Sequence, residues 1–194
     1  MKKILSLLLL LSTLFAFVSC DMTSSELDDD YDTTKPTSST RTTTTTSGSD
    51  WELREYIDEF DRPTGDKFIQ TTVSGTFSNS ATTGSTLKAT VQVTKDSIAI
   101  MLWEYGSHLV KGTFDTNNYS ITILDQNDTK HYYSGYMYED GTRIYVNDSY
   151  RSELLSYLKK GGEISFYLVY SKYSKSTYSF TISTKGFSSL YSQL

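Results

Sequence analysis

Leu87-Lys88-Ala89-Thr90-Val91-Gln92-Val93-Thr94 alternates apolar and polar residues without a break. Successive side chains of a strand point to opposite faces, so Leu87, Ala89, Val91 and Val93 share one side while Lys88, Thr90, Gln92 and Thr94 share the other. Lys95-Asp96 then turns the chain into Ser97 to Trp103, apolar on both faces and therefore read as a central strand covered on both sides.

The same period extends outward in both directions. Upstream, Leu53, Tyr56 and Ile57 open a segment ending near Phe60, and Asp61 to Asp66 reads as a Pro-Thr-Gly turn. Phe68 to Val73 is a strand, and Gly75 to Ser85 is a polar stretch with two glycines. Downstream, His108 to Phe114 and Tyr119 to Leu124 look like one hairpin, turned at Asp115 to Asn118. His131 to Tyr138 and Arg143 to Val146 look like a second, turned at Asp140-Gly141. Ile164 to Tyr170 and Tyr178 to Ser183 complete the strands.

Two helices are expected. Asp148 or Ser149 can cap the first, Leu154, Leu155 and Leu158 share one face, Lys159 and Lys160 suit its C-terminal end, and Gly161 stops it. Phe187, Leu190, Tyr191 and Leu194 form an apolar stripe on a short closing helix, expected to pack over a sheet edge or barrel mouth. About nine strands with short turns predict a mainly β domain over residues 51–194: an antiparallel β-sandwich or barrel-like sheet with one or two short helices.

The N-terminus carries an address. Lys2 and Lys3 precede an apolar run from Ile4 to Val18, broken only by Ser6, Ser12 and Thr13. That is the layout of a signal peptide, and the run falls short of the about 20 apolar residues of a membrane span. Phe17-Val18-Ser19-Cys20 resembles a lipobox, with Phe17 where an aliphatic residue is usual, and Cys20 is the only cysteine of the chain. Residues 1–19 are therefore expected to leave as a signal peptide. Cys20 is expected to carry the lipid, making the bilayer its first partner.

Residues 20–50 read as a disordered tether, first acidic through Glu26, Asp28, Asp29, Asp30 and Asp32, then rich in Thr and Ser. An acidic tract close behind a lipidated cysteine resembles the surface-export signal of Bacteroidetes lipoproteins, and Asp32-Thr33-Thr34 resembles their O-glycosylation sequon. The expected location is the outer membrane, on its periplasmic or cell-surface face. Loss of Lys2 and Lys3 with the leader takes the 18 basic residues to 16 against 23 acidic, moving the net charge from −5 to −7. No cluster of Lys and Arg is present, which argues against nucleic acid as a partner.

Tyr56-Ile57-Asp58-Glu59-Phe60, Pro63-Thr64-Gly65, Gly75-Thr76-Phe77-Ser78-Asn79-Ser80-Ala81 and Lys185-Gly186-Phe187 together resemble a domain of uncharacterised secreted lipoproteins of spirochaetes and Bacteroidetes. The resemblance implies a secreted, lipid-anchored location and no assigned activity.

Candidate sites are few. Asp58, Glu59, Asp61 and Asp66 surround one turn and are the candidates for a calcium site, although their spacing matches no calcium loop and an acidic solvated turn is the preferred reading. His108 and His131 are the only histidines, and no nucleophile-elbow pattern accompanies them. Ser-x-x-Lys occurs at Ser85/Lys88 and Ser156/Lys159 without companion motifs. A second cysteine is lacking, so a Cys/His zinc site is out, and no cofactor is expected. On a strand, Tyr132, Ser134, Tyr136 and Tyr138 share one face, and Tyr132, Tyr136 and Tyr138 are the candidate ligand-binding residues, since a tyrosine ring suits stacking on sugars or gripping a protein. The expectation is a non-enzymatic interaction module for glycan or for an envelope or host protein. The alternatives are a structural envelope lipoprotein within a larger complex and a hydrolase not visible in the motifs.

Overall fold

The computed structural model describes residues 40–44, 48–113, 117–170 and 175–194. The signal peptide 1–19, Cys20 and the tether through Ser39 lie outside the described residues. Eleven strands form one antiparallel sheet. They are β1 (Thr40–Thr44), β2 (Glu52–Ile57), β3 (Pro63–Ser78), β4 (Ser85–Val93), β5 (Ile98–Glu104), β6 (His108–Leu109), β7 (Asn117–Leu124), β8 (Lys130–Met137), β9 (Ile144–Val146), β10 (Glu163–Tyr170) and β11 (Ser176–Ser183). Helix α1 (Asp148–Lys160) links β9 to β10, and α2 (Phe187–Tyr191) follows β11. No helix among the described residues is long and apolar enough to cross a membrane.

Of the two architectures expected, the closed barrel is the one formed. Eight strands run β3-β11-β10-β7-β8-β9-β5-β4, and β4 returns to β3. Closure depends on the length of β3, 16 residues. One of its edges pairs with β4 from Ile69 to Phe77. The other is shared: β2 occupies the first half, from Pro63 to Gln70, and β11 the second, from Gly75 to Ser78. A barrel closed in this way has no unpaired edge within its ring.

The alternation fixes what fills the barrel. Leu87, Ala89, Val91 and Val93 of β4 and Ile98, Ile100 and Leu102 of β5 are buried and join one core with Ile121 and Ile123 of β7, Phe166 and Leu168 of β10, and Phe180 and Ile182 of β11. The Phe166 and Phe180 rings stack at 5.0 Å, 6° from parallel, across β10 and β11. Helix α1 adds to that core the three leucines read from the sequence, Leu154, Leu155 and Leu158, all buried. Phe187 and Leu190 of α2 are fully buried nearby, as expected, while Tyr191 and Leu194 are half-buried. Phe187 meets the Trp51 ring edge-on at 4.9 Å, and Trp51 Nε1 donates to the Ser183 carbonyl at 2.9 Å. The two ends of the domain thus tie each other to the sheet.

Four details differ from the sequence reading. The first part of the polar stretch, Gly75 to Ser78, belongs to β3, and the glycine is needed where β3 meets β11: a Cβ there would stand 2.3 Å from the Ser179 carbonyl oxygen. The hairpin of His108 with Leu124 does not form. Instead β6 folds back on β5, pairing Leu109 with Trp103, through Tyr105 and Gly106 at φ 53° and 78°, and β7 pairs with β8 and β10. Period-two alternation identifies a strand and is silent about its partner. Asn147, not Asp148 or Ser149, occupies the N-cap of α1, and its side chain bonds Ser134 rather than the helix. Finally, Thr40–Thr44, within the stretch read as tether, forms β1 against the outer edge of β2. An exposed strand edge offers backbone donors and acceptors that β-branched threonines, which favour extended backbone, can meet.

Candidate functional site

The outward faces of β3, β4, β5, β9 and β8 carry one continuous register. Gln70 pairs with Gln92, Gln92 with Ala99, Ala99 with Tyr145, Tyr145 with Tyr136, and Tyr136 with Asn118 of β7. The neighbouring rows bring in Thr72 opposite Thr90, Thr90 opposite Met101, and Lys88 opposite Trp103. The face therefore presents amides and hydroxyls interleaved with rings, on the side of the strands turned away from the core.

Two depressions lie on it. A groove of about 320 Å³ is lined by Phe68, Gln70, Thr72, Lys88, Thr90, Gln92, Met101, Trp103 and Arg143. A smaller hollow of about 170 Å³ continues past Gln92 and Arg143 to Tyr56, Ala99 and Tyr145. Ala99 makes the hollow possible, since its methyl group stands between larger neighbours in the row.

The polar groups of the groove are held in place. Gln92, 3% exposed, donates through Nε2 to the Tyr56 hydroxyl at 2.9 Å and accepts from Arg143 Nε on its Oε1 at 3.0 Å. Tyr56 in turn leans on Phe68, ring centroids 4.7 Å apart, and burial pushes its hydroxyl pKa up. The Thr72 and Thr90 hydroxyls bond each other at 2.7 Å. Lys88 Nζ sits 4.5 Å over the Trp103 ring, a cation–π contact that fixes both. These side chains hold their conformations through one another, which lowers the ordering entropy that a ligand would have to overcome.

Of the tyrosines read from the sequence, two join this face. Tyr136 and Tyr138 meet edge-on at 5.2 Å, and both lie beside Tyr145, at 5.8 and 6.1 Å. The hydrogen bond with the Tyr138 hydroxyl beside it raises the pKa of Tyr136. Tyr132 shares the strand face, 71% exposed, but stands further along β8, apart from the trio. Trp103, Gln92, Arg143, Lys88 and Tyr145 were not among the candidates. The available signal was an outward Trp103 on an otherwise apolar strand, next to the polar side of the Leu87–Thr94 alternation.

The acidic turn is used internally. Asp58 accepts from the backbone of Phe60 and Arg62 at 2.9 Å each, and from Arg62 Nε at 2.8 Å, and these bonds hold its carboxyl below the usual range. Among the described residues no group of three or more His, Cys, Asp or Glu is placed to hold a metal ion, Asp58, Glu59, Asp61 and Asp66 included.

The histidines divide. His108 is exposed on β6. His131 contacts Asp125 Oδ2 through Nε2 at 3.2 Å and Glu153 Oε1 through Nδ1 at 3.3 Å, with the Tyr157 ring 4.5 Å away. Both ring nitrogens face carboxylates, and the Tyr157 hydroxyl also lies 3.3 Å from Nδ1, an arrangement that ties α1 to β8. Asp125 also accepts from the Thr129 and Asn127 backbone at 3.0 and 2.8 Å, and these bonds, Thr129 foremost, hold its carboxyl below the ordinary carboxylate range.

A depressed folded-state pKa contributes stability above the unfolded value, about 3.9 for aspartate, and loses it as pH falls through the folded one. Asp125→Asn is accordingly expected to lower the melting temperature at pH 6 and to flatten its decline below pH 4. Thermal melts at both pH values check this, and parallel acid limbs in the two proteins would refute the role of Asp125.

Compared with protein-family models, with curated proteins and with solved structures, the chain matches none.

Proposed function

We propose that the domain is a non-enzymatic binding module for oligosaccharide, held in the cell envelope by a lipid on Cys20. The observation that carries this reading is the outward face of β3-β4-β5-β9-β8, where amides and hydroxyls (Gln70, Gln92, Thr72, Thr90) stand beside rings, Trp103 lining the groove, Tyr145 the hollow, and Tyr136 and Tyr138 extending the ring surface from Tyr145. A sugar ring has one apolar face and a rim of hydroxyls. It needs a flat aromatic platform and donor–acceptor groups at its edge, both preorganised. A protein partner would favour a larger apolar patch with fewer locked polar groups at its centre. The anchor is supported by the signal-peptide layout and the solitary Cys20, and it fits a module that works at a surface rather than in free solution.

An array of neutral and charged oligosaccharides, probed with the full chain, tests the binding. Trp103→Ala is expected to weaken every retained sugar by roughly thirtyfold, the effect of losing an aromatic anchor worth about 2 kcal/mol. Retention that is indifferent to Trp103→Ala, or no retention at all, would refute the reading. In the producing cell, a palmitate analogue should label the wild-type chain and not Cys20→Ser. Labelling of both would remove the anchor.

A further inference from the structure

We infer that the ligand of this face is acidic: an oligosaccharide that carries carboxylates, of the uronic-acid class. The inference rests on the oligosaccharide reading above and names the chemistry of the same site.

Arg143 is the centre of it. Its Nε donates to Gln92 Oε1 at 3.0 Å, and Gln92 is itself buried and braced by Tyr56. That bond fixes the plane of the guanidinium and uses one of its donors. The terminal nitrogens remain as a fork on a side chain that lines both the groove and the hollow. A planar fork matches the two oxygens of a carboxylate, and such paired charge-assisted bonds are stronger and more directional than neutral ones.

Lys88 supplies a second positive charge directly over the Trp103 ring. A sugar stacked alongside Trp103 would therefore lie within reach of a cation. Charge composition points the same way. No Asp or Glu lines the groove or the hollow, and among the described residues neither Arg143 nor Lys88 has a carboxylate within ion-pair distance. The chain as a whole carries a net charge of −5, so a groove and hollow lined by two cations and no carboxylate are opposite in sign to the molecule that bears them. A net negative protein does not draw anions by its long-range field. Selection must come from contact, and a ligand offering both a stacking face and a carboxylate satisfies both halves of the site.

Calorimetric titration of the full chain with oligogalacturonate, oligomannuronate and oligoglucuronate, each beside its methyl ester, tests this. Esterification removes the charge and leaves the sugar. At least one acid is expected to bind about tenfold or more tightly than its ester. Arg143→Gln should erase that difference in a chain that still melts cooperatively, and Arg143→Lys, which keeps the charge without the fork, should restore only part of it. Raising the salt concentration should weaken the acid more than the ester. Equal binding of acid and ester, or a preference that survives Arg143→Gln, overturns the acidic ligand. Binding of neutral oligosaccharides alone, dependent on Trp103, also overturns it while leaving the oligosaccharide reading in place. No binding of any sugar overturns both.

Discussion

Deletion of residues 186–194 is expected to lower the melting temperature by roughly 15 °C and to leave a soluble domain that binds a hydrophobic reporter dye. Phe187 and Leu190 are both fully buried, and full burial of such a side chain contributes about 1.5–3 kcal/mol. Their removal also strips from the Trp51 ring the edge-on contact that Phe187 makes at 4.9 Å. A total near 5 kcal/mol is a large share of the 5–15 kcal/mol that holds a domain of this size, and each kcal/mol is worth about 3–4 °C. Helix α2, at 5 residues, has no stability of its own and is ordered only by what it covers. Circular dichroism melts of the full and shortened chains decide the matter. An unchanged melting temperature would mean that α2 contributes nothing to the core.

Gly75→Val should be as damaging for a different reason. The β3–β11 seam that closes the barrel has four pairs, from Phe180↔Gly75 to Thr177↔Ser78. A Cβ at position 75 would stand 2.3 Å from the Ser179 carbonyl oxygen and 2.7 Å from the Phe180 Cβ. The first of these neighbours is backbone, which cannot swing aside as a side-chain tip does. The strands must part, and parting them breaks the seam. The cost is expected at or above the upper end of the overpacking range, about 3 kcal/mol. Ser74→Val, one residue away and pointing outward, should change stability by less than about 0.5 kcal/mol. Urea titrations of the two variants make the comparison. Similar midpoints would show that the seam tolerates a side chain and that closure does not depend on Gly75.

These two positions show what the sequence made legible. Phe187 and Leu190 of the closing stripe are buried as a helical period predicts, whereas Tyr191 is half-buried and Leu194, also half-buried, lies beyond the helix. The Leu87–Val93 alternation likewise assigned its inward face correctly, as did the three leucines of α1. Gly75 opens a stretch that reads only as polar with two glycines, because glycine and serine carry little strand signal. Its value to the fold lies in a non-local contact with Phe180, and no local pattern records such a contact. The misassigned hairpin at His108 has the same origin. Pattern identifies strands, whereas pairing across the barrel is set by closure.

The candidate site was only half legible for a related reason. Tyr136 and Tyr138 were visible as a period-two run on β8. Gln92 and Arg143, far apart in sequence, meet only because β4, β5 and β9 are adjacent, and Tyr145 enters through its pairing with Ala99. Residues on the polar side of an alternation are normally solvated and unremarked. Here Gln92 and Thr90 are buried on that side, which marks the outward surface as more than a wetted exterior.

The assignment of oligosaccharide to this surface is tested most directly by locating the ligand. Amide chemical shifts of the domain, followed by nuclear magnetic resonance as the best-retained oligosaccharide is added, report which backbone groups sense it. The shifts are expected to cluster on the outward residues of β4, β5, β8 and β9 around Gln92, Trp103, Arg143 and Tyr145, with α1 and α2 unaffected. Shifts confined to α1 and α2 or to the turn at Asp58, or no shifts with any sugar, would contradict it.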